Sequence, residues 1–177
     1  MAAAQVASDF FDKVTVLDRD TLPQGPEPRA GTPQARHGHA LLGAGQASLA
    51  ELFPGFADEI EKAGAVKVRA GRDIWMERPG FDPFPVRDLG FYSYCLSRPL
   101  LEFVIRHCLG RRSTVSLHEG CRVTEFLTSS NGAAVIGLHY EDAKGSAQRL
   151  MADLVIDASG RGVLTLDLLG RVGSPKP

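Results

Sequence analysis

The chain has 177 residues, of which 44% are hydrophobic and 23% charged, and its formal net charge is −1. This length and composition indicate one ordinary folded domain or a piece of a larger one, and exclude a fibrous or disordered chain. The near-zero charge, without any block of Lys or Arg, argues against nucleic acid as a partner.

Cysteine usage and hydropathy bear on the compartment. Cys95, Cys108 and Cys121 are scattered without CxxC spacing, and an odd number does not suit a secreted disulfide framework. The N-terminal residues lack a signal-peptide pattern, and no window approaches the roughly 18 apolar residues of a membrane span. We therefore expect a soluble, cytoplasmic protein without membrane contact.

The first third of the chain predicts a helix, a strand and a long loop. Residues 1–11 are Ala-rich and favour a helix. Val14–Leu17 is a short β-branched apolar run, typical of a buried parallel strand, and it ends at Asp18. Residues 21–36 are rich in Pro and Gly, which predicts an exposed loop, and loops of this length are often functional.

Helical spacing of apolar residues predicts a helix over 37–53, stopped by Pro54 and Gly55, and a shorter helix to about residue 63. Strand-like stretches follow at 66–70, 74–77 and 91–96. A further helix is predicted from Ser97, because Ser can cap it, Pro99 is tolerated in its first turn, and the following apolar residues build one face.

The last third predicts an antiparallel meander. Runs at 115–117, 122–127 and 133–140 precede a shorter one at 148–151, and Ser129-Ser130-Asn131-Gly132 is typical of a hairpin turn. The chain then returns to an apolar run at 154–156, which predicts a buried strand ending at Asp157. Beyond Gly170, the Gly- and Pro-rich composition predicts a flexible tail over 170–177.

This order of elements is similar to FAD-binding domains of the glutathione-reductase and aromatic-hydroxylase type. Four strings carry the resemblance, and they occur in the family's order: residues 14–20, 33–39, 96–102 and 153–162. Together they resemble FAD-dependent monooxygenases of the aromatic-hydroxylase and halogenase-like superfamily. The resemblance implies an α/β fold: an incomplete, three-layer, Rossmann-like FAD-binding domain over 1–177 with an antiparallel β-meander. It also implies that the runs at 14–17 and 154–156 share one parallel sheet.

The chain departs from the family pattern before its first helix. The family has a strand and a GxGxxG turn there, whose backbone N–H groups approach the pyrophosphate, and this sequence lacks them. Gly43 and Gly45 lie inside a helical pattern and are interpreted as packing positions. We therefore expect the chain by itself to bind FAD weakly or not at all and to be catalytically inactive. An exposed sheet edge at 14–17 predicts self-association.

The resemblance implies cofactor-binding roles for six residues, and four of them have a simpler alternative. Asp18 would accept hydrogen bonds from the ribose, or be a solvated strand-end carboxylate. Arg36 would reach the FAD phosphates, or be a surface arginine. Arg98, at a helix start that suits an anion, would lie along the FAD ribityl or pyrophosphate, or form a local salt bridge. Val123 would offer its backbone to adenine or be a core valine. Asp157 and Gly160 would lie at the cofactor edge.

No catalytic side chain is identified, and His37, His39 and His107 lack the neighbours of a metal site. In flavin hydroxylases the flavin carries the oxygen chemistry, so an obvious acid/base pair is not required. The family function would be oxygenation of a small organic substrate with NAD(P)H as the reductant. The alternative is a non-catalytic α/β module with an interaction role or no independent function.

Overall fold

The computed structural model describes residues 1–75 and 77–175. This part of the chain contains both helices and short strands, which confirms the predicted α/β class. The helices are α1 (Ala2–Ala7), α2 (Gly43–Leu52), α3 (Phe56–Lys62), α4 (Arg98–Leu109) and α5 (Val163–Arg171). The strands are β1 (Val14–Leu17), β2 (Gly38–Leu41), β3 (Val66–Arg69), β4 (Tyr92–Ser97), β5 (Val115–His118), β6 (Arg122–Thr128), β7 (Val135–Glu141) and β8 (Ala147–Met151).

The chain divides into two compact units. The first contains Met1–Val14 and Leu22–Ser116, and the second contains Thr15–Thr21 and the segment that begins at Leu117. In the first unit, β4 lies between β2 and β3 in an antiparallel sheet. The largest fully buried side chains all belong to this unit: Phe53, Phe56, Ile60, Tyr94 and Leu109.

Helix α4 forms where the sequence predicts it, and for the predicted reasons. The Ser97 hydroxyl accepts a hydrogen bond from the backbone N–H of Leu100 at 3.3 Å, which caps the first turn. Pro99 occupies the first turn, where its missing N–H has no helical partner to lose. Val104 and Cys108 on the apolar face are buried, so the helix is held by packing as well as by its cap.

Two predictions in the first unit are wrong. The predicted helix over 37–53 begins only at Gly43, because residues 38–41 form β2 and pair with β4. The predicted strand at 74–77 does not form: Ile74, Trp75 and Glu77 have no strand structure, while Met76 lies outside the described residues. This segment follows Gly71, whose φ is +76° and whose position allows the backbone oxygen of Arg87 to approach closely.

The second unit contains the predicted meander. Strand β7 lies between β6 and β8, and both pairs are antiparallel. The predicted hairpin turn joins β6 to β7, with the Ser129 hydroxyl donating to the Asn131 side chain at 2.7 Å. The run at 115–117 is not part of this meander, because it belongs to β5, which pairs with β1.

The prediction that residues 154–156 form a buried strand in one parallel sheet with β1 is wrong. These residues have no strand structure, and the side chains of Leu154 and Ile156 are 53% and 52% exposed. A strand forms only where a neighbouring strand pairs with its backbone groups. In the part of the chain that the structure describes, β1 pairs only with β5, and no strand pairs with residues 154–156. Self-association through this edge stays a prediction.

Helix α5 was not predicted from the sequence. It extends to Arg171 and therefore enters the segment 170–177, for which a flexible tail is expected; Lys176 and Pro177 lie outside the described residues. Within residues 1–75 and 77–175, none of the helices is long and apolar enough to cross a membrane.

Candidate functional site

Arg36 and Arg98, both predicted as cofactor-binding residues, come together at one end of the β2–β4 pair. The register places Gly38 opposite Ser97. Directly paired Cα atoms in antiparallel strands are about 4.5–5.5 Å apart. Arg36 precedes Gly38 by two residues and Arg98 follows Ser97 directly, so both segments of the chain pass this end of the strand pair. Residues separated by about 60 positions in sequence are therefore neighbours.

The side chains of Arg36 and Arg98 are available to a ligand. Both residues are exposed, and neither guanidinium has a hydrogen-bond or ion-pair partner among the described residues. Some other arginines of the first unit are paired, as Arg111 is with Glu59 at 3.0 Å and Arg112 is with Asp9 at 2.9 Å. Two unpaired guanidiniums beside the start of α4 form a positive surface suited to an anion.

A concavity of about 350 Å³ lies in the predicted loop, and Arg36 forms part of its wall. Thr32 and Ala35 in this wall are buried, so the loop is packed despite its lack of regular structure. Backbone N–H groups of Thr32, Ala35 and His37 donate to carbonyls three residues earlier. The residues that line the concavity are Pro28, Arg29, Ala30, Thr32, Pro33, Ala35 and Arg36.

Asp18 lies in the second unit, directly after β1, as predicted. Its backbone N–H donates to the carbonyl of His118 at 2.9 Å, and its carbonyl accepts from the N–H of Cys121 at 2.8 Å. Its Oδ1 accepts from the backbone N–H of Asp20 at 3.0 Å. These bonds hold the half-buried carboxylate at the carboxyl end of β1, the position at which an acid binds ribose in dinucleotide folds.

Val123 is half-buried on β6, the outer strand of the meander. It lies opposite Tyr140, and the register shifts between Val123 and Glu125. No strand in the described part of the chain pairs with the outer edge of β6. An outer strand presents backbone N–H and C=O groups at this edge, which is the kind of contact predicted for the adenine.

The Asp157 carboxylate is engaged by its own turn. Oδ1 accepts from the backbone N–H of Ser159 at 2.9 Å, and Oδ2 accepts from the hydroxyl of Thr165 at 2.5 Å. Desolvation alone would raise the pKa of Asp157, but hydrogen bonds from Ser159 and Thr165 outweigh it and hold the pKa below the ordinary 3.8. Because Thr165 lies in the first turn of α5, Asp157 anchors the start of this helix.

Gly160 lies in the same turn and is exposed, with a φ of +84° that favours glycine. No atom lies within 4 Å of the position that a Cβ would occupy. The backbone at Gly160 is therefore open to the close approach of a ligand, as its predicted role requires.

Replacing Asp157 by alanine is expected to lower the free energy of unfolding by about 1 kcal/mol at pH 7, because α5 loses the acceptor at its start. Because the pKa of Asp157 is lowered in the folded state, its charge stabilises the protein above about pH 4. This contribution to the free energy of unfolding is lost as the pH falls through the folded-state pKa. Urea unfolding of both proteins between pH 2 and 7 measures this difference. A difference that stayed constant over this range would contradict the role of the charge.

The structure thus brings Arg36 and Arg98 together in the first unit, while Asp18, Val123, Asp157 and Gly160 lie on three segments of the second. Sequence reasoning missed Arg29, Thr32 and Glu102, which interact around the loop concavity. The four-residue spacing of Arg98, Glu102 and Arg106 along α4 was the signal in the sequence that could have found Glu102. Among residues 1–75 and 77–175, no group of three or more His, Cys, Asp or Glu side chains could hold a metal ion.

Comparison with known proteins gives the class of this fold. No family model matches the chain. Protein Rv3254 of Mycobacterium tuberculosis is 36% identical over 171 residues, which cover 92% of this chain and 36% of that protein. The chain therefore spans little more than a third of the curated relative's length.

Among the solved structures that share the fold are a halogenase and a hydroxylase. A myxobacterial chondrochloren halogenase, a variant of FAD-dependent halogenases, matches 89% of this chain and 34% of its own, with a TM-score of 0.60 and 22% identity. Aklavinone-11 hydroxylase, solved with FAD and aklavinone, matches 96% of this chain and 32% of its own, with a TM-score of 0.60 and 18% identity. The chain has the fold of a part of FAD-dependent halogenases and aromatic monooxygenases, as the resemblance predicted.

Proposed function

We propose that this chain contributes to FAD binding in a flavin-dependent monooxygenase that acts on a small organic molecule with NAD(P)H and O2. The observation that carries the proposal is the pair of unpaired arginines, Arg36 and Arg98, at one end of the β2–β4 pair. Their guanidiniums suit a pyrophosphate, because each can donate two parallel hydrogen bonds to neighbouring oxygens.

Within the second unit, the predicted residues also have groups that suit FAD. The Asp18 carboxylate would accept hydrogen bonds from the ribose, and the edge backbone at Val123 would face the adenine. Gly160 would allow the backbone to approach the cofactor. Asp157 would act through the turn that it holds, since both of its carboxylate oxygens already accept hydrogen bonds. Bound FAD would supply the oxygen chemistry, while these groups bind and orient it.

Titration with FAD and with riboflavin tests the proposal, because riboflavin contains the flavin ring without the pyrophosphate and adenosine. We expect FAD to bind with a Kd of about 1 μM or weaker. Riboflavin should bind at least about tenfold more weakly, since it cannot use the arginines. Quenching of flavin fluorescence measures both constants. Equal affinity for the two flavins, or no saturation by FAD at about 1 mM, would contradict the proposal.

A further inference from the structure

A polar stripe on α4 holds the loop that carries Arg36. Arg98, Glu102 and Arg106 are spaced four residues apart, so they lie on one face of the helix. The Arg106 side chain donates from Nη2 to the carbonyl of Pro23 at 2.7 Å. The stripe therefore reaches the first part of the loop through Arg106, while Arg98 lies at its other end.

Glu102 is the central residue of this stripe. Its Oε1 accepts from Nε of Arg29 at 2.7 Å, and its Oε2 accepts from the hydroxyl of Thr32 at 3.0 Å. The side chains of Arg29 and Glu102 are only 16% and 15% exposed, so the ion pair is poorly screened by solvent. One carboxylate thus fixes two residues of a loop that has no regular structure.

Arg29 and Thr32, the two residues that Glu102 binds, form part of the wall of the loop concavity. Arg29, Thr32 and Arg36 all line it, and the two arginines differ in how their charge is balanced. Glu102 neutralises Arg29, whereas the Arg36 guanidinium has no partner among the described residues. An anion at this surface is therefore attracted chiefly by Arg36 and by Arg98, and the paired Arg29 shapes the wall.

We propose that Glu102 is a positioning residue that holds the loop concavity in place, so that Arg36 and Arg98 can bind a phosphate or pyrophosphate group together. This inference rests on the proposed function and extends it to a residue that would not touch the cofactor. Preorganisation of this kind increases affinity because the loop is ordered before the ligand arrives. Loss of the Glu102 carboxylate should therefore weaken anion binding, although the Arg36 and Arg98 guanidiniums remain.

The test is Glu102→Gln in the 177-residue chain, with Glu51→Gln as a matched control, because Glu51 is an exposed helix residue without a partner among the described residues. Hydrogen exchange at the amides of Thr32, Ala35 and His37 measures how stably the loop is ordered. We expect exchange at these amides to accelerate about tenfold or more, and the affinities for inorganic pyrophosphate, ADP and FAD to fall about tenfold. Riboflavin affinity should not change.

A second variant covers the case in which Glu102→Gln leaves Arg29 unpaired and unfolds the loop altogether. Combining Arg29→Gln with Glu102→Gln replaces the ion pair by two neutral amides that can still hydrogen-bond. We expect this double variant to recover slow exchange and most of the ADP affinity, because Arg36 and Arg98 are unchanged. Recovery of slow exchange without recovery of ADP affinity would overturn the positioning role.

The outcomes separate the inference from the proposed function. Unchanged exchange in Glu102→Gln, or faster exchange with full ADP and pyrophosphate affinity, would overturn the positioning role while FAD binding stands. If the unaltered chain bound neither ADP nor pyrophosphate, the proposed function would fail, and the role of Glu102 toward an anion would fail with it. Equal effects of Glu51→Gln and Glu102→Gln would also overturn the inference.

Discussion

Replacing Arg36 and Arg98 together by alanine is expected to weaken FAD binding by about 100-fold or more. Each charge-assisted hydrogen bond contributes about 1.5–3 kcal/mol, and about 1.4 kcal/mol corresponds to a tenfold change in Kd. Both guanidiniums are without partners in the described part of the chain, so their removal breaks no internal ion pair. The loss should therefore appear in affinity and leave the free energy of unfolding almost unchanged.

Titrations of the single and double variants with FAD and ADP measure this effect. Arg72→Ala is the matched control, because Arg72 is an exposed arginine of the same unit and forms no ion pair in the described residues. Arg98→Lys should restore only part of the affinity, since an ammonium keeps the charge without the planar fork. A double variant with unaltered affinity, or an equal effect of Arg72→Ala, would show that the arginine pair does not bind the cofactor.

Replacing Gly137 by alanine is expected to lower the free energy of unfolding by about 2–4 kcal/mol. Gly137 lies on β7, the central strand of the meander, with a φ of +156°. An added Cβ would lie 2.2 Å from the backbone oxygen of Leu150 and 3.0 Å from the Cα of Met151. Both atoms belong to the backbone of β8, so the clash can be relieved only by displacing the neighbouring strand.

Gly132→Ala provides the control for Gly137→Ala. Gly132 also has a positive φ, of +69°, but no atom lies within 4 Å of its added Cβ. It should cost about 1 kcal/mol, from backbone conformation alone. Urea unfolding followed by circular dichroism measures both variants. Equal costs at the two positions would mean that β8 moves aside freely and that the contact between the strands is not tight.

Elements specified by local signals could be predicted from the sequence. Helix α4 has its cap, its first-turn proline and its apolar face within a few residues of one another. The β6–β7 hairpin has its turn residues between two strand-like runs, and β1 is a short β-branched run that ends in an acid. In each case the favourable interactions are made mainly by residues close in sequence, so the pattern alone indicates the structure.

Part of the candidate site could be predicted in the same way, and part could not. Asp18 and Arg98 were found because a strand end and a helix start are visible in the sequence. The proximity of Arg36 to Arg98 was not visible, because it depends on the β2–β4 register, and β2 had been predicted as helix. The engagement of Asp157 with Thr165 was missed because α5 itself was not predicted.

The sequence by itself determined the α/β class, α4, the meander and the kinds of side chain at the candidate site. Only the tertiary structure decided that residues 38–41 are a strand, that residues 154–156 are not, and that Glu102 holds Arg29. A strand exists only if another strand pairs with its backbone, and an ion pair exists only if folding brings its partners together. Arg29 and Glu102 are 73 residues apart in the chain, so no local pattern encodes their contact.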